Sequence, residues 1–371
     1  MSQRQTAPFR ADHVGSFLRP KALLEARDKH AAGQISAAEL RAAEDAAIRE
    51  VVAFQEDVGL QGITDGEYRR TYFHIDFLEQ IEGIVAQDSG IASHFHTEEG
   101  DLEFAPPKLK ITGKVRHAKP IYADDFAFLK SVTKQTPKIT IPSPSMAHFR
   151  GGREAVDKVA YPEIPQFFDD LAKVYREEIA DLASRGCRYL QLDDTNLAYL
   201  CDPKLREGAK AMGEDPDALP HTYADLINAS IAGKPDDMRI AIHLCRGNFR
   251  SAWVAEGGYD PVAEVLFGEI KANAFFLEYD TDRSGDFSPL RYVTKDKFVV
   301  LGLVSSKKPQ LENKDDLKRR IDTAAKIVPL EQLCISPQCG FSSTVHGNDI
   351  TFDDQRRKME LVVEVAREVW G

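Results

Sequence analysis

The chain has 371 residues, 43% hydrophobic and 29% charged, with a net charge of -11, which is the balance of a soluble globular protein with a full-sized core. That acidity excludes the electrostatic footprint of a nucleic-acid binder or of a protein drawn to anionic membranes, and leaves small molecules as the expected partners. No apolar stretch approaches the ~20 residues of a spanning helix, and the first ten residues carry no apolar secretion segment, so a cytoplasmic location is expected. The five cysteines, an odd number in a long chain, read as reduced thiols.

In chain order, residues 8–17 read as a first strand closing on Gly15 and Ser16. The clearest helix is 36–59, with Ser36 as its cap, Glu39 three residues on and apolar residues at helical spacing up to Gly59. L-Q-G-I-T-D-G-E is a short second strand ending on Asp65, Gly66 and Glu67. Residues 68–136 break the rhythm, and within them K-L-K-I-T-G-K-V-R alternates around Thr112 and Gly113 as a β-hairpin would. From Pro137 the pattern is regular. K-I-T-I-P-S-P-S is a strand, 162–185 an amphipathic helix stopped by Gly186, and R-Y-L-Q-L-D-D a strand ending on Asp193 and Asp194. A helical connection over 203–232 leads to R-I-A-I-H-L-C-R-G-N. Three further strands end on Glu278 and Asp280, on Ser305 to Lys307, and on Cys339, with helices over 314–327 and 353–370.

Eight strands, nearly all followed by helix, predict an α/β fold of the (β/α)8 TIM-barrel type. The chain is read as a single barrel domain over 1–371, with 68–136 as a β-hairpin-containing insertion after strand 2. The competing doubly wound sheet lacks its G-x-G-x-x-G after the first strand.

Barrel active sites lie at the C-terminal ends of the strands. There this sequence gathers Ser16, Glu67, Ser143, Asp193, His243, Cys245, Glu278, Lys307 and Cys339. Carboxylates are depleted in strands and costly to bury unpaired, so the set needs a chemical reason, although Asp194 or Asp280 could simply cap following helices. Residues two apart on a strand share a face, so His243 and Cys245 project together. With Cys339 and Glu278 they have the donor chemistry of one Zn2+ site, and two thiolates select zinc over magnesium or calcium. A replaceable carboxylate would leave a position for a substrate thiol, held as thiolate near neutral pH. Cys187 and Cys334, near the starts of their strands, and Cys201, in a connection, are expected to be inert.

H-V-G-S-F, D-G-E-Y-R-R, L-Q-L-D-D, I-H-L-C-R-G-N, L-E-Y-D-T-D-R-S-G and S-P-Q-C-G are spread along nearly the whole chain. By these motifs the sequence resembles the C-terminal catalytic barrel of cobalamin-independent methionine synthase, most closely its short single-barrel relatives. The resemblance implies zinc ligands at His243, Cys245, Glu278 and Cys339, and a homocysteine whose amino-acid end is held at Ser16, Glu67 and Asp193. It implies a zinc-dependent methyltransferase of methionine biosynthesis, with 5-methyltetrahydrofolate or another methyl compound as donor.

Two motifs depart from the family. Where its members place a pterin-stacking tryptophan after the third strand, this chain reads M-A-H-F-R-G-G, and where they place a proton-donating histidine after the seventh, it reads S-S-K-K-P. Lys307 or His148 is the expected aid to the leaving group. Two alternatives stand beside methyl transfer: an epoxide:thiol transferase of the coenzyme M type, and a non-catalytic structural zinc barrel. The basic residues Lys108, Lys110, Lys114 and Arg116 read as a solvated strand face. His94 and His96 lie on a polar loop and form no second metal site, and Trp370 packs the last helix onto the barrel.

Overall fold

A computed structural model describes residues 4–87, 93–97, 100–104 and 107–371. The fold is α/β and centres on a parallel sheet. Its strands are β1 (Gly62–Ile63), β2 (Glu82–Gln87), β3 (Ser93–Thr97), β4 (Gly100–Phe104), β5 (Lys108–Arg116), β6 (Thr136–Pro137), β7 (Ile139–Pro142), β8 (Tyr189–Asp194), β9 (Arg239–Leu244), β10 (Ala274–Glu278), β11 (Phe298–Val304) and β12 (Leu333–Pro337). β7 to β12 lie side by side in sequence order, all parallel, with helices in the connections. Such strands are covered on both faces, which is why they read as apolar runs.

Alternate side chains on these strands enter different cores. Leu190, Leu192, Ile240, Ile242, Phe275, Leu277, Val299 and Leu301 join the large cluster beneath the helices. Tyr189, Ala241, Ala274, Phe276, Val300 and Cys334 form a separate cluster with Phe9 and Val14. Gln191, Asp193, His243 and Glu278 belong to this second set by the period of two. The register aligns Asp193 with His243 and Glu278 with Gly302, so these polar residues arrive at the same end of the sheet.

The helix at Ala37–Asp57 forms as expected, with a complete capping box between Ser36 and Glu39. Residues 162–185 give the helix Ile164–Ser184, and 314–327 gives Lys314–Ala325. The 203–232 connection is two helices, Pro203–Ala211 and Leu219–Ser230. Phe352–Trp370 closes the chain, and Trp370, 1% exposed, donates its indole N–H to the Leu330 carbonyl at 3.0 Å.

Three expectations are corrected. The first strand is an extended segment with a single parallel bridge, Ala11 to Ile335, because Asp12 itself takes the Phe9 and His13 N–H groups that a ladder would use. The second shrinks to β1, paired with β6. K-L-K-I-T-G-K-V-R is one strand rather than a hairpin: β5 continues through Gly113 and pairs antiparallel with β2, with a bulge in the register between Glu82 and Ile84. The tight backbone belongs instead to Gly83 in β2, at φ 90°, where a side chain would meet the Lys114 carbonyl oxygen at 2.6 Å. Nearby, β3 and β4 pair antiparallel, and the His96 backbone joins β3 to Trp253 through paired bonds. Among the described residues no helix is long and apolar enough to cross a membrane.

Candidate metal centre and substrate cavity

The C-terminal ends of the strands open into a cavity whose wall includes Ser16, Glu67, Asp193, His243, Cys245 and Cys339. Six residues singled out from strand ends thus share one space.

His243, Cys245 and Cys339 form its most compact feature, each offering one ligand atom within 4.8 Å of the others. β9 supplies His243, Cys245 follows that strand by one residue, and Cys339 follows β12 by two. The two Sγ atoms lie 3.3 Å apart. Both imidazole nitrogens of His243 are buried and have no hydrogen-bond partner among the described residues. A buried nitrogen of that kind calls for a ligand, since nearly all such groups are satisfied in folded proteins. The hydrogen bond from Cys245 holds the Cys339 thiol well below its ordinary value, against the effect of burial, with His243 adding to it. Cys245 is pushed up by the same bond and by burial.

Glu278, expected as the fourth ligand, stands outside this trio. Its carboxylate is fully buried but already engaged: Oε1 accepts the Arg246 backbone N–H at 3.1 Å and Oε2 accepts Arg283 Nη2 at 3.1 Å. Burial alone would raise its carboxyl; Lys307, Arg283 and Arg246 outweigh it and hold it down at about 2.

Ser16, Glu67 and Asp193 line the same cavity. Ser16 sits so close to the chain at Gly340 that a Cβ there would fall 1.9 Å from its Oγ. Glu67 adopts φ 60°, unusual for a residue with a side chain, and is fixed there by Asp65 Oδ1 on its N–H and Arg19 on its carbonyl. Its Oε1 accepts from Thr140 at 2.9 Å, while Oε2 is buried without a partner among the described residues. Burial, with Glu67 nearby, lifts the Asp193 carboxyl to about 7. Arg70 already stands 3.7 Å from Glu67 Oε1, so the spare acceptor that Glu67 offers a cationic group is Oε2.

Lys307 is 5% exposed, and its ammonium has no hydrogen-bond acceptor among the described residues. It lines an adjoining cavity rather than this one. His148 stands apart from both: its Nδ1 faces the Tyr223 hydroxyl at 3.0 Å and its Nε2 faces Glu214 at 3.5 Å. Burial lowers it to about 4. Ser143 is fully buried behind the wall, near Ser145, and Asp194 caps the next turn through the Leu197 N–H at 2.8 Å. Cys187, Cys201 and Cys334 are buried thiols pushed up to about 12, mainly by burial, which fits inert roles.

Several wall residues escaped the sequence reading. Arg150, His74, Phe95, Phe249 and Asn248 come from connections and from β3, where no strand-end rule applies. The alternating H-F-H around Phe95 was the available signal; the side chain of His94 lies outside the described residues. A second group, His117, Glu178 and Asp181, has metal-ligand types, but Glu178 is already taken by the Ile121 and Tyr122 N–H groups and by His117.

Residues 9–368 match the family described as Cobalamin-independent synthase, Catalytic domain. An uncharacterized protein of Bacillus subtilis (strain 168), YxjH, is 45% identical over 99% of this chain and 96% of its own. A crystal structure from Listeria monocytogenes, provisionally named a vitamin-B12 independent methionine synthase, is 40% identical and covers 99% of this chain and 100% of its own, with a TM-score of 0.79. A B12-independent methionine synthase from Shewanella sp. W3-18-1, solved with selenomethionine, shares the fold at a TM-score of 0.71 and 17% identity, covering 97% of each chain.

Proposed function

Because the chain belongs to the family of cobalamin-independent synthase catalytic domains, in its short form, we propose that it transfers a methyl group to the sulfur of homocysteine, giving methionine. The observation that carries this reading is one cavity with a His/Cys/Cys trio beside two buried carboxylates and Ser16.

We read the sheet as a closed (β/α)8 barrel forming one domain over 1–371, with 68–136 inserted after the second strand. The separate inner cluster and the bonds joining Ala11 to β12 and β6 to β1 support closure. Five free cysteines fit the reducing cytoplasm.

The donor set fits zinc: two thiols and an imidazole with both nitrogens unpartnered, all buried. His243, Cys245 and Cys339 would hold it, with Glu278 as a fourth ligand only after releasing Arg283. Zinc bound there would keep a substrate thiol in its thiolate form near neutral pH. Glu67 and Asp193 would receive the substrate ammonium, and Ser16 with the neighbouring backbone N–H groups the carboxylate. In the transfer, the substrate sulfur forms a bond to the methyl carbon as the bond from that carbon to the donor breaks, its electron pair leaving with the donor. The cavity wall aligns the partners and limits water. Lys307, buried near Glu278 and the two thiols, would offset charge on the leaving group; His148 faces away from the cavity and is a weaker choice.

A second reading, opening of an epoxide by a thiol, draws on the same ammonium, which would face the emerging alkoxide. Methionine formation by zinc-loaded protein from homocysteine and 5-methyltetrahydrofolate, with Cys339→Ser as control, tests the first against the second, assayed with epoxide and coenzyme M. Cys339-dependent methionine supports methyl transfer; turnover of the epoxide alone replaces it.

A further inference from the structure

The extended segment that leads to Ser16 makes a single strand bridge, yet its backbone carbonyls do not go unpaired. Three in succession are each taken by a side chain from a different part of the sheet. His13 accepts from Lys138 Nζ, just before β7, at 2.5 Å; Val14 from Gln191 Nε2, in β8, at 2.6 Å; and Gly15 from Thr64 Oγ1, just after β1, at 2.6 Å. Of these three donors only Gln191 reaches on to a residue of the cavity wall: the same Nε2 donates to Asp193 Oδ1 at 2.7 Å. Among the described residues no other hydrogen bond reaches the Asp193 carboxylate. Both amide hydrogens of Gln191 are thereby committed, and because the Val14 carbonyl can only accept, the amide has one orientation.

Gln191 is fully buried, and its Oε1 faces no donor among the described residues. An unbranched apolar side chain would avoid that cost in the inner cluster around it, so what the amide adds is its two bonds. We propose that Gln191 is a positioning residue for the amino-acid end of the substrate. It sets Asp193 against the segment that ends on Ser16, with Oδ1 engaged and Oδ2 left for the ammonium, and so makes the site select a thiol with an α-ammonium over the same thiol without one. Ser16 depends on it less, because the bonds at His13 and Gly15 and the close approach of Gly340 also fix that segment. Loss of the amide therefore falls on the ammonium and spares the carboxylate and the sulfur. This rests on the homocysteine reading of the cavity.

The test is titration of the cobalt-loaded chain with homocysteine and with 4-mercaptobutyrate, which keeps the thiol and the carboxylate but lacks the ammonium, read by the thiolate-to-metal absorption band. The unaltered chain should bind homocysteine at least roughly tenfold more tightly. Gln191→Met keeps length and volume without the amide; it should weaken homocysteine at least roughly tenfold and leave 4-mercaptobutyrate within about twofold. Gln191→Asn, too short to span both partners, should show the same selective loss. Equal weakening of the two thiols, or weakening of neither, would reduce Gln191 to a structural role and overturn the proposal. Equal binding of the two by the unaltered chain would overturn it as well, and that comparison needs no variant to fold. An unaltered chain whose spectrum ignores both thiols would overturn the homocysteine reading, and the proposal with it.

Discussion

The Sγ atoms of Cys245 and Cys339 lie 3.3 Å apart although 94 residues separate them in the chain. Nothing local to either residue makes that contact. It follows from two strands, β9 and β12, ending at one level of one sheet. If the pair and His243 hold a metal, Cys245→Ser and Cys339→Ser should each lower the bound zinc from about one per chain to a small fraction, because a hydroxyl is a far weaker zinc ligand than a thiolate. Metal analysis of dialysed protein checks this. Either variant retaining full zinc would remove that residue from the set.

Thiol reactivity should separate the cysteines into two classes. Cys187, Cys201 and Cys334 are buried away from the cavity and pushed up to about 12, whereas Cys339 lies on the cavity wall and is held well below its ordinary value, so a thiol reagent added to folded, chelator-treated protein should label Cys339 first and leave those three unmodified. Mass mapping of the labelled residues gives the answer, and early labelling of Cys201 would contradict the assignment.

Arg283 and Glu278 form a buried ion pair, with side chains 10% and 0% exposed. Removing one partner leaves the other charge unpaired, so Arg283→Met should destabilise the fold by about 3–5 kcal/mol, measured by urea unfolding. The same change frees the carboxylate and should strengthen zinc binding if Glu278 is a ligand. Unchanged zinc affinity would instead make Glu278 a structural partner of Arg283.

The Asp193 carboxyl, raised to about 7 by burial and by Glu67, sets a sign for the pH dependence of metal-free protein. Its folded-state value lies above the unfolded one near 3.9, so the folded chain keeps a proton that the unfolded chain loses. The resulting stability is fully present below about pH 4 and is lost as pH rises through about 7, an effect on the order of 4 kcal/mol at most. Asp193→Asn should flatten that slope. A slope unchanged in this variant would locate the titration elsewhere.

The contact between Gly340 and Ser16 can be tested without any substrate. A methyl at 340 would meet Ser16 Oγ at 1.9 Å, so Gly340→Ala should cost about 1–3 kcal/mol through overpacking. Ser16→Gly should recover much of that loss in the double variant, whereas simple additivity would show that the two residues do not press on each other.

The regular half of the chain was legible because parallel strands covered on both faces leave apolar runs that end abruptly on polar residues. That contrast identified Asp193, His243, Glu278 and Cys339, and the period of two put Cys245 beside His243. The opening segment was misjudged because Asp12 replaces ladder bonds with its own side chain, a substitution that leaves no periodic trace. At Gly113 the apolar positions Leu109, Ile111 and Val115 stay in phase across the glycine, which marks one strand rather than a turn. Glu278 was visible as a strand end, but its engagement with Arg283 depends on how a loop folds back. Arg150, Phe95 and Phe249 lie on elements whose placement over the cavity is set by long-range docking, such as the bridge from His96 to Trp253.

The central claim, that a substrate thiol binds directly at the His243, Cys245 and Cys339 site, is tested most directly by cobalt substitution. Adding homocysteine to cobalt-loaded protein should change the thiolate-to-metal absorption band in a saturable way, and serine at Cys339 should abolish the response. A spectrum indifferent to homocysteine, with cobalt bound at one per chain, would contradict the account and leave the site a structural one.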